Sequence, residues 1–223
     1  MKIVKLTGVV ELVSGLHIGG GDDTMKIGGI DNGVIKDINS NEPYIPGSSL
    51  KGKMRSLLEW NIGVVNLKRA TKDDEGQPLN SSHIWDKKGN VLDSAFHDKT
   101  LLNKAQNLLK LFGDKEGKFG ITRISVGDCK LLDESKKMKL SEAKFENVID
   151  RKSGTAKHPR QTERVPAGVK FEFDIRVKVL DEDNEKELKD MVELGLELIE
   201  NDYLGGNGSR GYGRVKFIDK TWS

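Results

Sequence analysis

The chain has 223 residues, the size of one domain carrying insertions. Its 37 Lys and Arg against 35 Asp and Glu give a formal net charge of +2, which excludes a polybasic coat and leaves local patches open. At 35% hydrophobic and 32% charged residues the chain is polar, yet not poor enough in apolar residues for general disorder. A single cysteine, Cys129, excludes an internal disulfide, a zinc knuckle and a CxxC site, and points to the reducing cytoplasm. Lys5 and Glu11 interrupt the first apolar segment, unlike a secretory signal, and no run approaches the roughly 18 apolar residues of a membrane span.

Residues 3–14 alternate with period two, with Val4, Leu6, Val10 and Leu12 on one side, and predict a strand. Residues 48–60 predict a helix: Pro46 precedes it, Ser48 or Ser49 can cap it, and Leu50, Met54, Leu57 and Leu58 share a face. Residues 61–100 are polar and mixed and read as an irregular or mobile insertion. A second helical stripe runs over 101–112 to a stop at Gly113. Residues 121–132 resemble one strand, and 169–180 form the clearest strand, with Val169, Phe171, Phe173, Ile175, Val177 and Val179 alternating with charged residues. An amphipathic helix over 185–201 carries Leu188, Met191, Val192, Gly195, Leu198 and Ile199 as its buried stripe, Gly195 letting it approach the sheet. A last strand is expected over 212–218.

Without its insertions the order is strand, helix, strand, strand, helix, strand. That predicts an α+β, ferredoxin-like (split βαβ, RRM-like) domain spanning 1–223, an antiparallel sheet with both helices on one face. RNA-recognition domains use the free face of such a sheet, but the aromatic Lys/Arg-Gly-Phe/Tyr-Gly/Ala-Phe pattern is absent, so loops would carry any RNA. The long loops are 15–45, the insertion 61–118, and 133–168, which contains a protruding, thumb-like hairpin at 147–165.

Charge is uneven. Residues 150–170 hold six basic residues against two acids, and 181–202 hold ten acids against two lysines. This suits phosphate contact at one place and protein contact or solvation at the other, although charge runs are also ordinary solvated faces.

Four constellations bear on chemistry. In the first, Gly19, Gly20, Gly21, Gly28 and Gly29 lie in one loop with Asp22 and Asp23, closed by Asp31-Asn32-Gly33. Such backbone can approach a phosphodiester closely, while no Gly-Lys-Ser/Thr makes it a P-loop and no GxGxxG appears. Asp31-Asn32-Gly33 also reads as an ordinary turn, and His17 as a hydrogen-bonding core histidine. In the second, Pro46 to Arg55, Ser48 and Ser49 with the first-turn N–H groups make an anion site, and Lys51 and Arg55, four apart, share a face. It reads equally as a capped helix with a basic outer face.

In the third, Leu204 to Val215, five glycines fall within nine residues, more than a helix stop needs; backbone packed on a ligand or another segment explains the excess, with Ser209 and Arg210 as donors. The fourth, Asn147 to Gly168, reads as a long hairpin with a basic tip. No catalytic triad is arguable, and the four histidines lack metal-ligand spacing.

Together LHIGGG, PGSSLKG, GGIDNGVIKD, HPRQTERVPAG and NDYLGGNGSRGYGR, in this order, resemble the RAMP superfamily of CRISPR RNA-binding proteins. They resemble in particular the repeated backbone subunit of the type III-A (Csm) effector complex, from about residue 3 to 218 and weakest in 61–100 and 133–145. The resemblance implies copies stacked head to tail along CRISPR RNA, with other Csm subunits: a large polymerase-like subunit, a small helical one and end-capping RAMP subunits. It implies a thumb that interrupts the guide–target duplex, and cleavage of target RNA there with Mg²⁺ or another divalent metal, weakly held. On that resemblance Asp31 is the cleavage and metal-binding residue, and His17 is the loop histidine. Guide contacts fall on Ser48, Ser49, Lys51 and Arg55 and on Gly205, Gly206, Asn207, Gly208, Ser209 and Arg210. Arg151, Lys157, Arg160 and Arg164 belong to the thumb region. A non-catalytic guide-binding subunit of the same superfamily is the alternative, and Asp31 argues against it. A stand-alone guide-processing ribonuclease would want a His/Tyr pair that is not apparent.

Overall fold

A computed structural model describes residues 1–20, 32–67 and 76–223. Asp31 therefore lies outside the described residues. Strand β1 (Lys2–Leu12) leads to helix α1 (Gly47–Asn61), then α2 (Lys99–Phe112). Two short strands follow, β2 (Ile124–Val126) and β3 (Lys130–Leu131), then a hairpin of β4 (Glu142–Ile149) and β5 (Ala156–Arg164). Strand β6 (Lys170–Val179), helix α3 (Glu185–Asn201) and strand β7 (Val215–Trp222) complete the chain.

The main sheet runs β2-β6-β1-β7, with β3 also on β6, and every pairing is antiparallel. With α2 and the hairpin set aside, the connectivity is the split βαβ order read from the sequence. Register follows from burial. Val4 faces Val177, Leu6 faces Ile175 and Val10 faces Phe171, all on the core side. Gly8 falls on that same side opposite Phe173, and its missing side chain leaves room for the Phe173 ring, which meets Phe217 edge-on at 5.6 Å. The other face carries Lys5, Asp174 and Arg176 bound to one another, at 2.7 and 3.1 Å. Asp174 thus serves both cations beside it.

Helix α3 spans the residues its pattern predicts, because Asn184 caps it through Lys186 N–H and Glu187 N–H. Its buried stripe includes Leu196 in place of Leu198, which packs only partly buried. Gly195 brings α3 against α1 rather than the sheet: a Cβ there would lie 2.2 Å from Met54 Cγ. The expected strand over 121–132 is broken at Gly127-Asp128-Cys129, where Cys129 pairs with Ile45 instead. Burial pushes the Cys129 thiol up to about 12, which removes it from nucleophilic chemistry.

Where it is described the insertion is irregular, one of the two expected alternatives, and it is packed. Val64, Leu79, Ile84 and Phe96 are buried, and Ser81 N–H and Oγ both bond Asp114. Its apolar residues anchor turns and two short 3-10 helices, Ser81–His83 and Ser94–His97, too short to show a period. The hairpin covers 142–164, longer than the expected 147–165 because its first strand starts earlier, and forms its own two-stranded sheet.

Behind the sheet lies a buried ion cluster. Arg123, 1% exposed, bonds Asp183 at 3.0 Å, Glu182 at 3.3 Å and the carbonyls of Phe119 and Ile121. Lys110 adds a contact of 3.4 Å to Asp183.

Candidate nucleic-acid interface

Three segments far apart in sequence meet beside the end of β1. The incoming arm of the first loop, 15–20, lies against the glycine-rich turn after α3: Gly206 N–H donates to His17 O at 2.8 Å, and Gly213 N–H to Gly15 O at 2.9 Å. The root of the hairpin closes the other side, where Leu16 and Val165 exchange backbone bonds of 2.9 and 2.8 Å. The outgoing arm, 32–36, returns along the incoming one, with Ile35 N–H bonding Ile18 O at 2.8 Å.

This arrangement accounts for the glycines. At Gly205, φ +77°, a Cβ would sit 2.4 Å from His17 O, and at Gly213, φ +70°, 1.9 Å from Leu204 O. No other residue tolerates both that backbone and that approach. Gly205 thus serves packing on another protein segment, and Gly208 and Gly213 packing within the turn itself. Gly208 lies on the Tyr203 ring, Asn207 is left-handed at φ 58°, and Ser209 and Arg210 remain exposed at the turn's outer edge.

His17 is half-buried, and its Nδ1 lies 2.7 Å from Glu163 O. A carbonyl only accepts, so Nδ1 carries the proton and Nε2 is the nitrogen available to a ligand. Arg210 pairs with Glu146 at 3.0 Å, a bond that a phosphate would have to displace. A cavity of about 330 Å³ between hairpin and glycine-rich turn is lined by Lys144, His158, Arg160 and Arg210 opposite Glu146. Arg151 is exposed in the hairpin turn. Lys157 is held by Asp150 at 2.7 Å, and that bond with the turn's N–H groups draws Asp150 down to about 2.

The expected cap of α1 needs correction, and two of the basic side chains are engaged within the fold. Neither Ser48 nor Ser49 caps α1; Asp128 does so from across the fold, taking Gly47 N–H at 2.8 Å. Its carboxylate therefore competes for the charge that an anion would seek at this terminus. Arg55 faces inward: Nε bonds Glu59, and its other nitrogens bond Gly113 O and Leu79 O, which pins the insertion to α1. Arg164 also folds in, bonding Glu142 at 2.6 Å and covering the Tyr212 ring at 5.2 Å. Arg164 found a carboxylate 22 residues away that no local pattern reveals, whereas Arg55 and Glu59 are the i,i+4 neighbours of one helix.

Lys51 remains half-buried on α1, and desolvation, then repulsion by Arg55, lowers its pKa. The negative charge of an arriving phosphate would oppose both effects. Arg55→Ala is expected to cost about 2 kcal/mol, because it leaves Glu59 with Leu79 N–H alone of these two partners and strands two carbonyls. Thermal unfolding checks this, and guide affinity per folded molecule should stay within about twofold. A lost affinity at unchanged stability would restore the guide role to Arg55.

Glu163 is the residue that sequence reasoning passed over, counting it only as an acid offsetting the hairpin's basic charge. Burial raises its pKa, but bonds from Lys36, Ser141 and Val34 N–H outweigh this, and the net direction is down. Among the described residues no group of three His, Cys, Asp or Glu side chains could hold a metal ion. Glu163 is already committed to its donors. Among the same residues no helix is long and apolar enough to cross a membrane.

Residues 9–216 match the model of the RAMP superfamily. Curated proteins named CRISPR system Cms endoribonuclease Csm3 are similar along nearly the whole chain. That of Enterococcus italicus is 35% identical over 96% of this chain and 89% of its own. That of Methanocaldococcus jannaschii is 40% identical over 97% and 79%. That of Streptococcus thermophilus is 40% identical over 96% and 86%. The crystal structure of a Csm3-Csm4 subcomplex in the type III-A CRISPR-Cas interference complex aligns with a TM-score of 0.55 at 28% identity, over 99% of this chain and 77% of that one. A subunit of type III-B Cmr-beta shares the fold at a TM-score of 0.62 and 17% identity, over 99% of this chain and 61% of its own.

Proposed function

The chain belongs to the RAMP superfamily, and from that membership we propose that it is the repeated backbone subunit of a type III-A CRISPR ribonucleoprotein. It binds CRISPR RNA and cuts the paired target RNA. The observation that carries this reading is the junction itself: the His17 arm, the hairpin root and the glycine-rich turn form one continuous surface. Guide pairing supplies sequence choice, so this surface needs only shape and backbone contacts. Copies of the chain and the other Csm subunits are its protein partners, and the reducing cytoplasm, consistent with one buried thiol, is its compartment.

The hairpin, standing on its own two-stranded sheet, is suited to displace a target nucleotide from its stack. A displaced nucleotide can turn its 2′-OH in line with the adjacent phosphorus. The 2′-oxygen then gives up its proton and bonds phosphorus, the P–O5′ bond breaks, and O5′ takes a proton. Alignment of this kind supplies much of the rate. Asp31, at the end of the loop, orients the 2′-OH or helps hold a divalent cation. That cation would offset charge on the phosphate.

The test is cleavage of complementary RNA by the guide-loaded assembly. The upstream product should end in a 2′,3′-cyclic phosphate and the downstream one in a 5′-OH. A single 2′-deoxy substitution at the cut should block that cut alone. Chelation of divalent ions should stop cutting while guide and target stay bound. Products ending in 3′-OH and 5′-phosphate would exclude this chemistry.

A further inference from the structure

Glu163 is the one acid between Arg151 and Arg164, and its side chain is 8% exposed. A carboxylate withdrawn from water persists only where donors replace the water. Here Oε1 takes Lys36 Nζ and Ser141 Oγ, each at 2.6 Å, and Oε2 takes Val34 N–H at 2.9 Å. The main chain of the same residue does as much. Its N–H donates to Asn32 O at 2.9 Å, and its carbonyl accepts from His17 Nδ1 at 2.7 Å.

The pattern of partners is informative. His17 lies on the incoming arm of the first loop, and Asn32, Val34 and Lys36 lie on the outgoing arm. Ser141 directly precedes β4, so the same carboxylate also closes the hairpin root. One residue thus joins both arms of the loop to the hairpin and sets the tautomer of His17. An apolar residue here would keep the two main-chain bonds, but it could not hold Lys36, Ser141 and Val34 N–H in register.

We propose that Glu163 is a positioning residue for RNA cleavage, holding the His17 imidazole and the outgoing arm at a set distance from the hairpin. This rests on the reading of the 15–45 loop as the cleavage loop. Glu163 touches no substrate in this role. Its carboxylate acts through the outgoing arm and the hairpin root, its carbonyl through His17, and small misplacement of such a frame slows chemistry more than it weakens binding.

The experiment compares wild type, Asp31→Ala, Glu163→Gln and Ser141→Ala in the guide-loaded assembly with complementary RNA. Single-turnover rate and target affinity are measured separately. Glu163→Gln turns an amide NH₂ toward groups that are themselves donors, so its rate should fall about tenfold to a hundredfold with target affinity and guide occupancy within about twofold. Ser141→Ala removes one donor of three and should slow cutting about threefold. A wild-type rate in Glu163→Gln, or rate and affinity falling together, overturns the proposal. Should Glu163→Gln fail to assemble, Ser141→Ala decides: the loss supports positioning, and an unchanged rate refutes it. Failure of the underlying reading looks different, because then wild type does not cut or Asp31→Ala cuts as wild type does.

Discussion

Asp31→Ala is expected to slow cleavage of complementary RNA by about a hundredfold to a thousandfold, with guide loading and target affinity within about twofold. The size follows from what remains after the substitution. The in-line geometry of the displaced nucleotide is set by the guide, the hairpin and the loop arms, and these survive. What is lost is one carboxylate at the reacting 2′-OH or its cation. Two acids that could otherwise substitute are committed elsewhere: Glu163 to Lys36, Ser141 and Val34, and Asp128 to the start of α1. Gel-resolved single-turnover cleavage and a separate binding isotherm check both halves. Continued cutting by Asp31→Ala, with binding intact, would move the chemistry to another residue.

Arg123→Met is expected to destabilise the fold by about 3–5 kcal/mol, as removal of one partner from a buried pair does. Asp183, whose side chain is fully buried, would keep only Lys110 as a cationic partner, and the carbonyls of Phe119 and Ile121 would lose their donor. Burial pushes the Asp183 carboxyl up, but Arg123, Leu180 N–H and Lys110 outweigh it and hold it below its usual value. A depressed folded pKa contributes stability that is present above the unfolded pKa and lost as pH falls through the folded one. The wild type should therefore lose this contribution in acid. In the variant Asp183 is protonated more readily, so the gap from wild type should narrow as pH falls below about 4. Chemical denaturation at pH 7 and at pH 3.5 reads both effects. Arg123→Met with Asp183→Leu should recover much of the loss, because the pair then leaves together. A single variant within about 1 kcal/mol of wild type would show that the cluster contributes little.

Elements whose partners are local were legible. The alternation of 169–180 placed β6 within a residue, and Asn184 ahead of an apolar stripe placed α3. The strand over 121–132 was misjudged because its apolar spacing continues through Gly127-Asp128-Cys129, while the backbone there turns to meet Ile45. The insertion looked irregular or mobile because Leu79, Ile84 and Phe96 each bury alone, without a repeat.

By itself the sequence determined the order of elements, the glycine-rich turns and the membership of a family, since these depend on backbone geometry and neighbouring residues. Only the tertiary structure decided where charge goes. It turned Arg55 and Arg164 inward, gave Asp128 to α1, and made Glu163 the joint between the loop arms and the hairpin. A charged side chain takes whichever partner the fold brings within about 3 Å, and for Asp128 and Glu163 those partners stand 81 and 127 residues away.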